Sequence, residues 1–130
     1  MNHSDITERF KVLLWIEQDN HFLVATSKDG KKHLPEIEPE FAETTLEAIE
    51  RFGRDVLEET LERIDLVEIV EQTTHENFSQ NDTLFIYKAR LLENSIMPKL
   101  SHSQIFFWVP MEKANSILSS RFLEKIKNDN

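Results

Sequence analysis

The chain has 130 residues, no cysteine and a formal net charge of −9, from 24 acidic and 15 basic side chains. The absence of cysteine excludes disulfide scaffolds, thiol nucleophiles and cysteine-based zinc sites. The acidic balance argues against partners such as nucleic acid or an anionic membrane surface, which require a basic patch. The length predicts a single domain over residues 1–130. A polar N-terminus and the absence of a long apolar run predict a soluble, cytoplasmic protein.

The first third of the chain predicts a β-hairpin followed by turns. Phe10–Glu17 and His21–Ser27 are rich in β-branched and aromatic residues, as strands are. An Asp-Gly turn signal within Lys28–Lys32 ends the second strand. Pro35 and Pro39 then keep the backbone non-helical as far as about residue 42.

A helix is predicted over Thr45–Arg63. Thr44, with Glu47 three residues later, matches a capping box, in which each residue satisfies a backbone N–H of the other. Apolar residues recur at helical spacing through this segment. They are Leu46, Ile49, Phe52, Val56 and Ile64.

The second half of the chain predicts three further strands and a helical C-terminus. Pro110 suits the first turn of a helix over about Met111–Leu118, and Arg121–Lys127 is expected to continue as a further helical turn. The element order predicts an α/β fold, a mixed β-sheet flanked by helices. The predicted strands are Leu66–Thr73, Leu84–Leu92 and Ile105–Val109, and the predicted loops are His75–Asp82 and Glu93–Ser103.

Four carboxylates on the predicted helix, Asp55, Glu58, Glu59 and Glu62, are spaced i, i+3, i+4 and i+7, which places them on one helical face. Like charges at this spacing repel each other, and a hard divalent cation with oxygen ligands would relieve the repulsion. Two Glu–Arg pairs at i,i+4 on the same helix support the alternative of an ordinary solvated face. Both interpretations are open at this point.

The segments LPEIEPEFAET, residues 34–44, and RDVLEETL, residues 54–61, resemble the Nudix box. That family motif is G-x5-E-x7-R-E-U-x-E-E-x-G-U, where U is a bulky aliphatic residue, and Leu-Pro usually precedes it. Leu34-Pro35, Glu43 and Thr44 fit the loop part without a gap. The resemblance covers nearly the whole chain and implies a Nudix-type α/β/α sandwich.

The chain departs from this motif in its glycines and in its spacing. Glu36 and Ile37 replace the glycine pair, and Ala42 replaces the later loop glycine. Glycine permits positive φ and close backbone approach, so these changes affect the loop. The strict x7 spacing from the loop glutamate reaches Arg51, which puts two apolar residues at acidic positions. A register that starts three residues later, at Arg54, provides acids at all three positions.

In the later register, the resemblance implies that Asp55, Glu58 and Glu59 bind Mg²⁺ or Mn²⁺. They would form the catalytic group together with Arg54 and Glu43, with Arg54 bracing Glu43 through an ion pair.

The remaining candidates concern the substrate and the base. Lys28 and Lys32 are candidate phosphate-binding residues, and His102 is a candidate base because its ordinary pKa is near neutrality. Phe85, Tyr87 and Trp108 could stack on a base or lie in the core.

The resemblance implies a Mg²⁺-dependent hydrolase acting on a nucleoside diphosphate linked to another moiety. The first alternative is a catalytically impaired Nudix-fold module that binds a nucleotide-type small molecule or has a regulatory role. The second is an interaction protein whose acidic helix is only solvated. A homodimer is a further expectation.

Overall fold

The computed structural model describes residues 6–75, 79–92 and 105–128. The predicted loop Glu93–Ser103 therefore lies outside the described residues, as does His102. No helix in the described ranges is long and apolar enough to cross a membrane. The strands are β1 Ile6–Gln18, β2 His21–Thr26, β3 Lys32–His33, β4 Glu36–Ile37, β5 Leu61–His75, β6 Ser79–Leu91 and β7 Phe106–Pro110. The helical elements are α1 Thr45–Phe52, a π-helical turn Gly53–Leu57, a 3₁₀ helix Met111–Ser116 and α2 Ser120–Asn128.

All seven strands belong to one mixed sheet with the order β3-β2-β1-β6-β5. β4 pairs with β1 and β7 pairs with β2 outside this path. β1 and β6 are parallel, from the pair Ile6–Ser79 to the pair Glu17–Arg90. The other pairings are antiparallel.

Helices pack on both faces of this sheet, with one apolar cluster on each face. Side chains of β1 alternate between the two clusters. Val12, Leu14 and Ile16 join the cluster under α1. Trp15 points to the opposite face, where it stacks on Phe22 at 4.8 Å and packs in the cluster that includes residues of α2. The predicted α/β/α sandwich is confirmed.

The predicted helix Thr45–Arg63 is right only in its first half. The capping box forms as expected: Glu47 N–H donates to Thr44 Oγ1 at 3.0 Å, and Thr44 N–H donates to the Glu47 carboxylate at 2.9 Å. The α-helix ends at Phe52, and after a π-helical turn Glu58 adopts a left-handed conformation with φ 54°. β5 begins three residues later, at Leu61.

The helix ends early because the carbonyl of Gly53 accepts the N–H groups of both Glu58 and Glu59. This wide turn replaces the i to i−4 pattern and releases the chain from the helical path. Leu57 and Leu61 are buried in the α1-side cluster on either side of the reversal. Apolar burial therefore holds the reversal in place.

Other boundaries also differ from the predictions. β1, β5 and β6 are longer than predicted, because the ladders continue through polar residues whose backbone groups still pair. The predicted loop His75–Asp82 is wrong at both ends: β5 reaches His75 and β6 starts at Ser79. The predicted helix after Pro110 is a 3₁₀ helix, and the expected further turn is the separate helix α2.

Gly53→Ala is expected to lower the free energy of unfolding by about 1–2 kcal/mol. An added Cβ would lie 3.0 Å from the carbonyl oxygen of Glu59 and 3.0 Å from Cγ of the buried Leu61. Neither atom can move away freely, and this crowding outweighs the better helix propensity of alanine. Urea unfolding measures the change, with Arg54→Ala in the same turn as the control. Equal stability of the wild type and Gly53→Ala would contradict the crowding.

Candidate functional site

The loop that carries the Leu-Pro pair is fixed to β1 and closes one side of the candidate site. Leu34 is buried in the α2-side cluster. The N–H of Leu14 donates to the carbonyl of Pro35 at 3.1 Å. Glu36 and Ile37 then form β4, in which Ile37 pairs with Val12. The residues at the glycine pair of the motif therefore form a β-ladder with ordinary backbone angles, and Ile37 is part of the core.

A tight turn over Glu40–Glu43 follows. The N–H of Glu43 donates to the carbonyl of Glu40 at 2.9 Å, and φ is +64° at Ala42, as at the third residue of a type II turn. The N–H of Glu40 donates to the Glu43 carboxylate at 2.9 Å. These bonds hold Phe41 at the tip, with 92% of its surface exposed.

Arg51 joins this turn to α1. Its Nε donates to Glu43 Oε2 at 2.9 Å and its Nη2 donates to Glu43 Oε1 at 3.0 Å, so the contact is bidentate. Nη2 also donates to the carbonyl of Glu38 at 3.2 Å. The hydrogen bonds from Arg51 and from the N–H of Glu40 hold the pKa of the Glu43 carboxyl below its usual value. The same pairing raises the pKa of Arg51.

The prediction that Arg54 braces Glu43 is therefore wrong. The guanidinium of Arg54 is largely exposed and its Nε lies 3.8 Å from Asp55 Oδ1. Arg54 lines the same cleft as Glu43, but the hydrogen bonds to the Glu43 carboxylate come from Arg51. The strict x7 spacing of the motif predicts Arg51 for this role. The register that starts at Arg54 was favoured because acids then occupy all three acidic positions.

The register set by Arg51 places Phe52, Asp55 and Val56 at the three acidic positions of the motif. Phe52 is 6% exposed and lies edge-on to Phe106 at 5.3 Å between ring centres. Val56 is 8% exposed. Phe52 and Val56 belong to the same apolar cluster as Ile37. One carboxylate and two buried hydrocarbon side chains do not fit a divalent cation, which requires several oxygen ligands.

The predicted carboxylate face does not form. Asp55 lies in the π-helical turn, Glu58 is left-handed, Glu59 follows it and Glu62 belongs to β5. Within residues 6–75, 79–92 and 105–128, no group of three or more His, Asp or Glu side chains could hold a metal ion. The geometric basis for a metal site at Asp55, Glu58 and Glu59 is therefore wrong.

A cleft of about 390 Å³ lies between the Glu40–Glu43 turn and the outer side of α1. Four carboxylates and one guanidinium line it, so its walls are acidic. Three of these carboxylates already have partners: Glu43 and Glu40 pair with Arg51, at 2.9 Å and 4.0 Å, and Glu47 belongs to the capping box. The lining residues are Glu40, Phe41, Ala42, Glu43, Glu47, Glu50 and Arg54.

The predicted phosphate-binding lysines do not line this cleft. Lys28 is exposed in the turn after β2. Lys32 lies on β3 with its Nζ 5.5 Å from the centre of the Phe107 ring, and Phe107 packs on the α2 side of the sheet. The structure therefore does not bring Lys28 or Lys32 together with the Glu40–Glu43 turn.

Aromatic side chains form a second feature, on the α1 side of the sheet. Phe85, Tyr87 and Trp108 are partly buried against the α1-side cluster. The Tyr87 hydroxyl lies 2.8 Å from Thr45 Oγ1, which connects the sheet to the start of α1. Phe10, which the sequence analysis did not single out, is 56% exposed and lies 6.4 Å from the Phe85 ring. An aromatic surface thus extends from α1 toward the start of β1.

Solved structures share this architecture. The chain is similar to the MutT NUDIX hydrolase from Burkholderia pseudomallei, with a TM-score of 0.68, 17% identity and coverage of 95% of this chain and 99% of that one. It is also similar to a NUDIX hydrolase from Nitrosomonas europaea, with a TM-score of 0.64, 14% identity and coverage of 93% and 87%.

A third similar structure is the dihydroneopterin triphosphate pyrophosphohydrolase of E. coli, with a TM-score of 0.61, 14% identity and coverage of 88% and 90%. No protein-family model and no curated protein matches the sequence. The chain therefore has the Nudix fold, and the resemblance found in the sequence is confirmed as a likeness of fold.

Arg51→Gln should lower the melting temperature by a few degrees, whereas Arg54→Gln should leave it nearly unchanged, because only Arg51 makes the bidentate contact. The pKa of Glu43 is lowered from its ordinary value of 4.5 in the folded state. Its stabilising effect is therefore complete above about pH 4.5 and is lost as the pH falls through the folded pKa. Thermal unfolding between neutral and acid pH should show a weaker acid dependence in Arg51→Gln. Equal curves for the two variants would contradict the assigned brace.

Glu58→Gly should have a free energy of unfolding about 0.5–1 kcal/mol above that of Glu58→Ala, which also removes the carboxylate, because glycine adopts φ 54° without the Cβ clash. Ala42→Gly should act in the same direction. Glu50→Gly is the matched control: it lies exposed in α1, where glycine should destabilise by about 1 kcal/mol. Urea unfolding separates the variants, and a Glu58→Gly chain no more stable than Glu58→Ala would rule out backbone strain at this position.

Proposed function

We propose that this chain is a Nudix-fold binding module that has lost metal-dependent pyrophosphate hydrolysis. The bidentate contact between Arg51 and Glu43 carries the proposal, because it sets the register of the motif. In that register Phe52 and Val56 occupy two of the three acidic positions and pack in the core. Glutamate at either position would require burial of a charge, which costs several kcal/mol without a partner.

The loop supports the same proposal. A catalytic loop that approaches phosphate closely depends on glycine backbone, yet Ile37 and Glu36 are committed to β4. Glu43 is committed to Arg51 and to the N–H of Glu40. Of the three acidic positions of the motif, only that of Asp55 therefore keeps a carboxylate, and the loop carboxylate of Glu43 is already engaged.

The proposed ligand is a nucleotide-type small molecule whose ring lies on the aromatic surface of the sheet. Phe10 and Phe85 offer an apolar surface for a planar ring, and Tyr87 adds a hydroxyl at its border. The acidic cleft repels phosphate unless a cation is bound with it. A nucleotide is therefore expected to bind more tightly with Mg²⁺ or Mn²⁺ than without.

The second candidate function is hydrolysis of a nucleoside diphosphate linked to another moiety. It is favoured by Asp55, which keeps an acid in the register of the motif, and by the carboxylates of Glu40, Glu47 and Glu50 in the cleft. If this candidate is right, turnover depends on Asp55 and does not depend on Glu58 or Glu59.

Phosphate and nucleotide release from a panel of nucleoside diphosphate derivatives at millimolar Mg²⁺ or Mn²⁺ tests both candidates. We expect no turnover above the level of Asp55→Asn, because a single carboxylate cannot hold the metal. We expect the same panel to contain a ligand that raises the melting temperature by mass action. Phe85→Ala should reduce that shift.

The double variant Glu58→Gln/Glu59→Gln is the matched control, since it removes the same kind of charge from positions that are not acidic in the Arg51 register. Turnover in the wild type that is lost in Asp55→Asn and kept in the double variant would establish the hydrolase and reject the binding module. Absence of both turnover and any thermal shift would reject both.

A further inference from the structure

We propose that a second copy of this chain pairs with β5 in antiparallel orientation at the open edge of the sheet. This interaction surface consists of the outer edge of Glu68–Thr73 together with the apolar row Ile69, Phe85 and Phe10, and it is called the β5 edge below. Phe10 and Phe85 also belong to the aromatic surface proposed above for the ligand ring, so a bound ligand and a second copy would compete for it. The proposal does not depend on hydrolysis, and its test uses the ligand-free chain.

The backbone of β5 supports edge pairing. β5 is the last strand in the sheet order, and in the part of the chain that the structure describes it pairs with β6 alone. Register shifts interrupt its first half, between Glu62 and Asp65 and between Leu66 and Glu68. From Glu68 onward the ladder with β6 is regular. A regular edge strand presents a row of backbone donors and acceptors that another strand can pair with.

An exposed apolar row reaches this edge on the α1 side of the sheet. Ile69 is 52% exposed and lies opposite Phe85, which contacts Phe10. Leu66, on the same strand, is also exposed. The row crosses three adjacent strands and ends at β5, whose outer edge has no partner strand among residues 6–75, 79–92 and 105–128. A contiguous apolar surface of this kind is typical of an association site, whereas isolated exposed residues are not.

A twofold axis beside Ile69 makes the β5 edge complementary to itself. Antiparallel pairing of two identical strands satisfies the backbone groups of both, which is the isologous arrangement of most dimers. The axis would place Ile69 of each copy opposite the same residue of the other, so the two apolar rows join. Glu68 would lie opposite Val70, and Glu71 opposite Val67, so no two carboxylates face each other directly.

The charges of β5 also favour a second copy over a basic partner. Glu68 forms an ion pair with Lys125 at 2.5 Å. Asp65 lies opposite Lys88, and Glu62 lies opposite Arg90, in the pairing with β6. Three of the acids on this strand thus have cationic neighbours within their own chain. The carboxylates of β5 therefore do not require a basic partner molecule.

The net charge of −9 gives the dimer a distinctive salt dependence. Two acidic copies repel each other over long range, and added salt screens that repulsion while leaving apolar contacts and backbone hydrogen bonds intact. Dimerisation through the β5 edge should therefore strengthen as salt increases. An interface formed by ion pairs would weaken.

Sedimentation velocity over a concentration series at low and high NaCl tests the proposal. We expect a monomer–dimer equilibrium for the wild type that shifts toward dimer in high salt. Ile69→Lys should weaken dimerisation by about tenfold or more, because it places an unpaired ammonium group in each half of the interface. Leu46→Lys is the matched control, because Leu46 is 46% exposed on α1, away from the β5 edge, and should not change the equilibrium.

Hydrogen exchange of the wild type adds a measurement that requires no variant. Amides within Glu68–Thr73 should become more protected as the protein concentration rises, and amides of α1 should not. A wild-type chain that stays monomeric at high concentration in both salts overturns the proposal. A dimer that survives Ile69→Lys, or that dissociates in high salt, overturns it as well.

Discussion

The bidentate contact between Arg51 and Glu43 determines how the candidate site is built. It holds a loop that has lost its glycines against the helix that follows, and it fixes which side chains of that helix face the sheet. Since α-helical positions are rotated by about 100° per residue, anchoring Arg51 also fixes the direction of Phe52. The π-helical turn that follows places Val56 in the same apolar cluster. The chemical character of the site follows from that rotation.

Three positions at which this chain differs from the motif are occupied by apolar residues that pack together. Ile37 stands at a glycine position, and Phe52 and Val56 stand at acidic positions, yet all three belong to one apolar cluster. A single change of this kind would leave a cavity or a buried charge, and both are costly. Together the three side chains fill the space between the loop, the helix and the sheet. These three positions of the motif are thus part of the core in this chain.

Sequence patterns predicted those elements whose signals are local. The capping box at Thr44 and the β-branched and aromatic runs of β1 and β2 depend on neighbours within a few residues, and both were located correctly. The end of the helix was missed, because the spacing of Asp55, Glu58 and Glu59 continues a helical pattern. Burial of Leu61, together with the double acceptance by the Gly53 carbonyl, overrides that pattern. The burial of Leu61 depends on distant residues such as Leu91, its partner on β6, so no short window of the sequence contains it.

Two positions of the motif keep a backbone conformation that favours glycine, although this chain has other residues there. Ala42, at the later loop glycine, and Glu58, which the Arg51 register aligns with the glycine after the paired acids, both have positive φ, although neither residue favours that conformation. Surrounding contacts must therefore maintain both features. The Arg51–Glu43 pair holds the turn, and the buried Leu57 and Leu61 hold the chain reversal. Backbone geometry of this kind is compatible with many side chains, which explains how the fold is shared with hydrolases at 14–17% identity. Hydrolysis depends instead on a few carboxylates, so it can be lost while the fold remains.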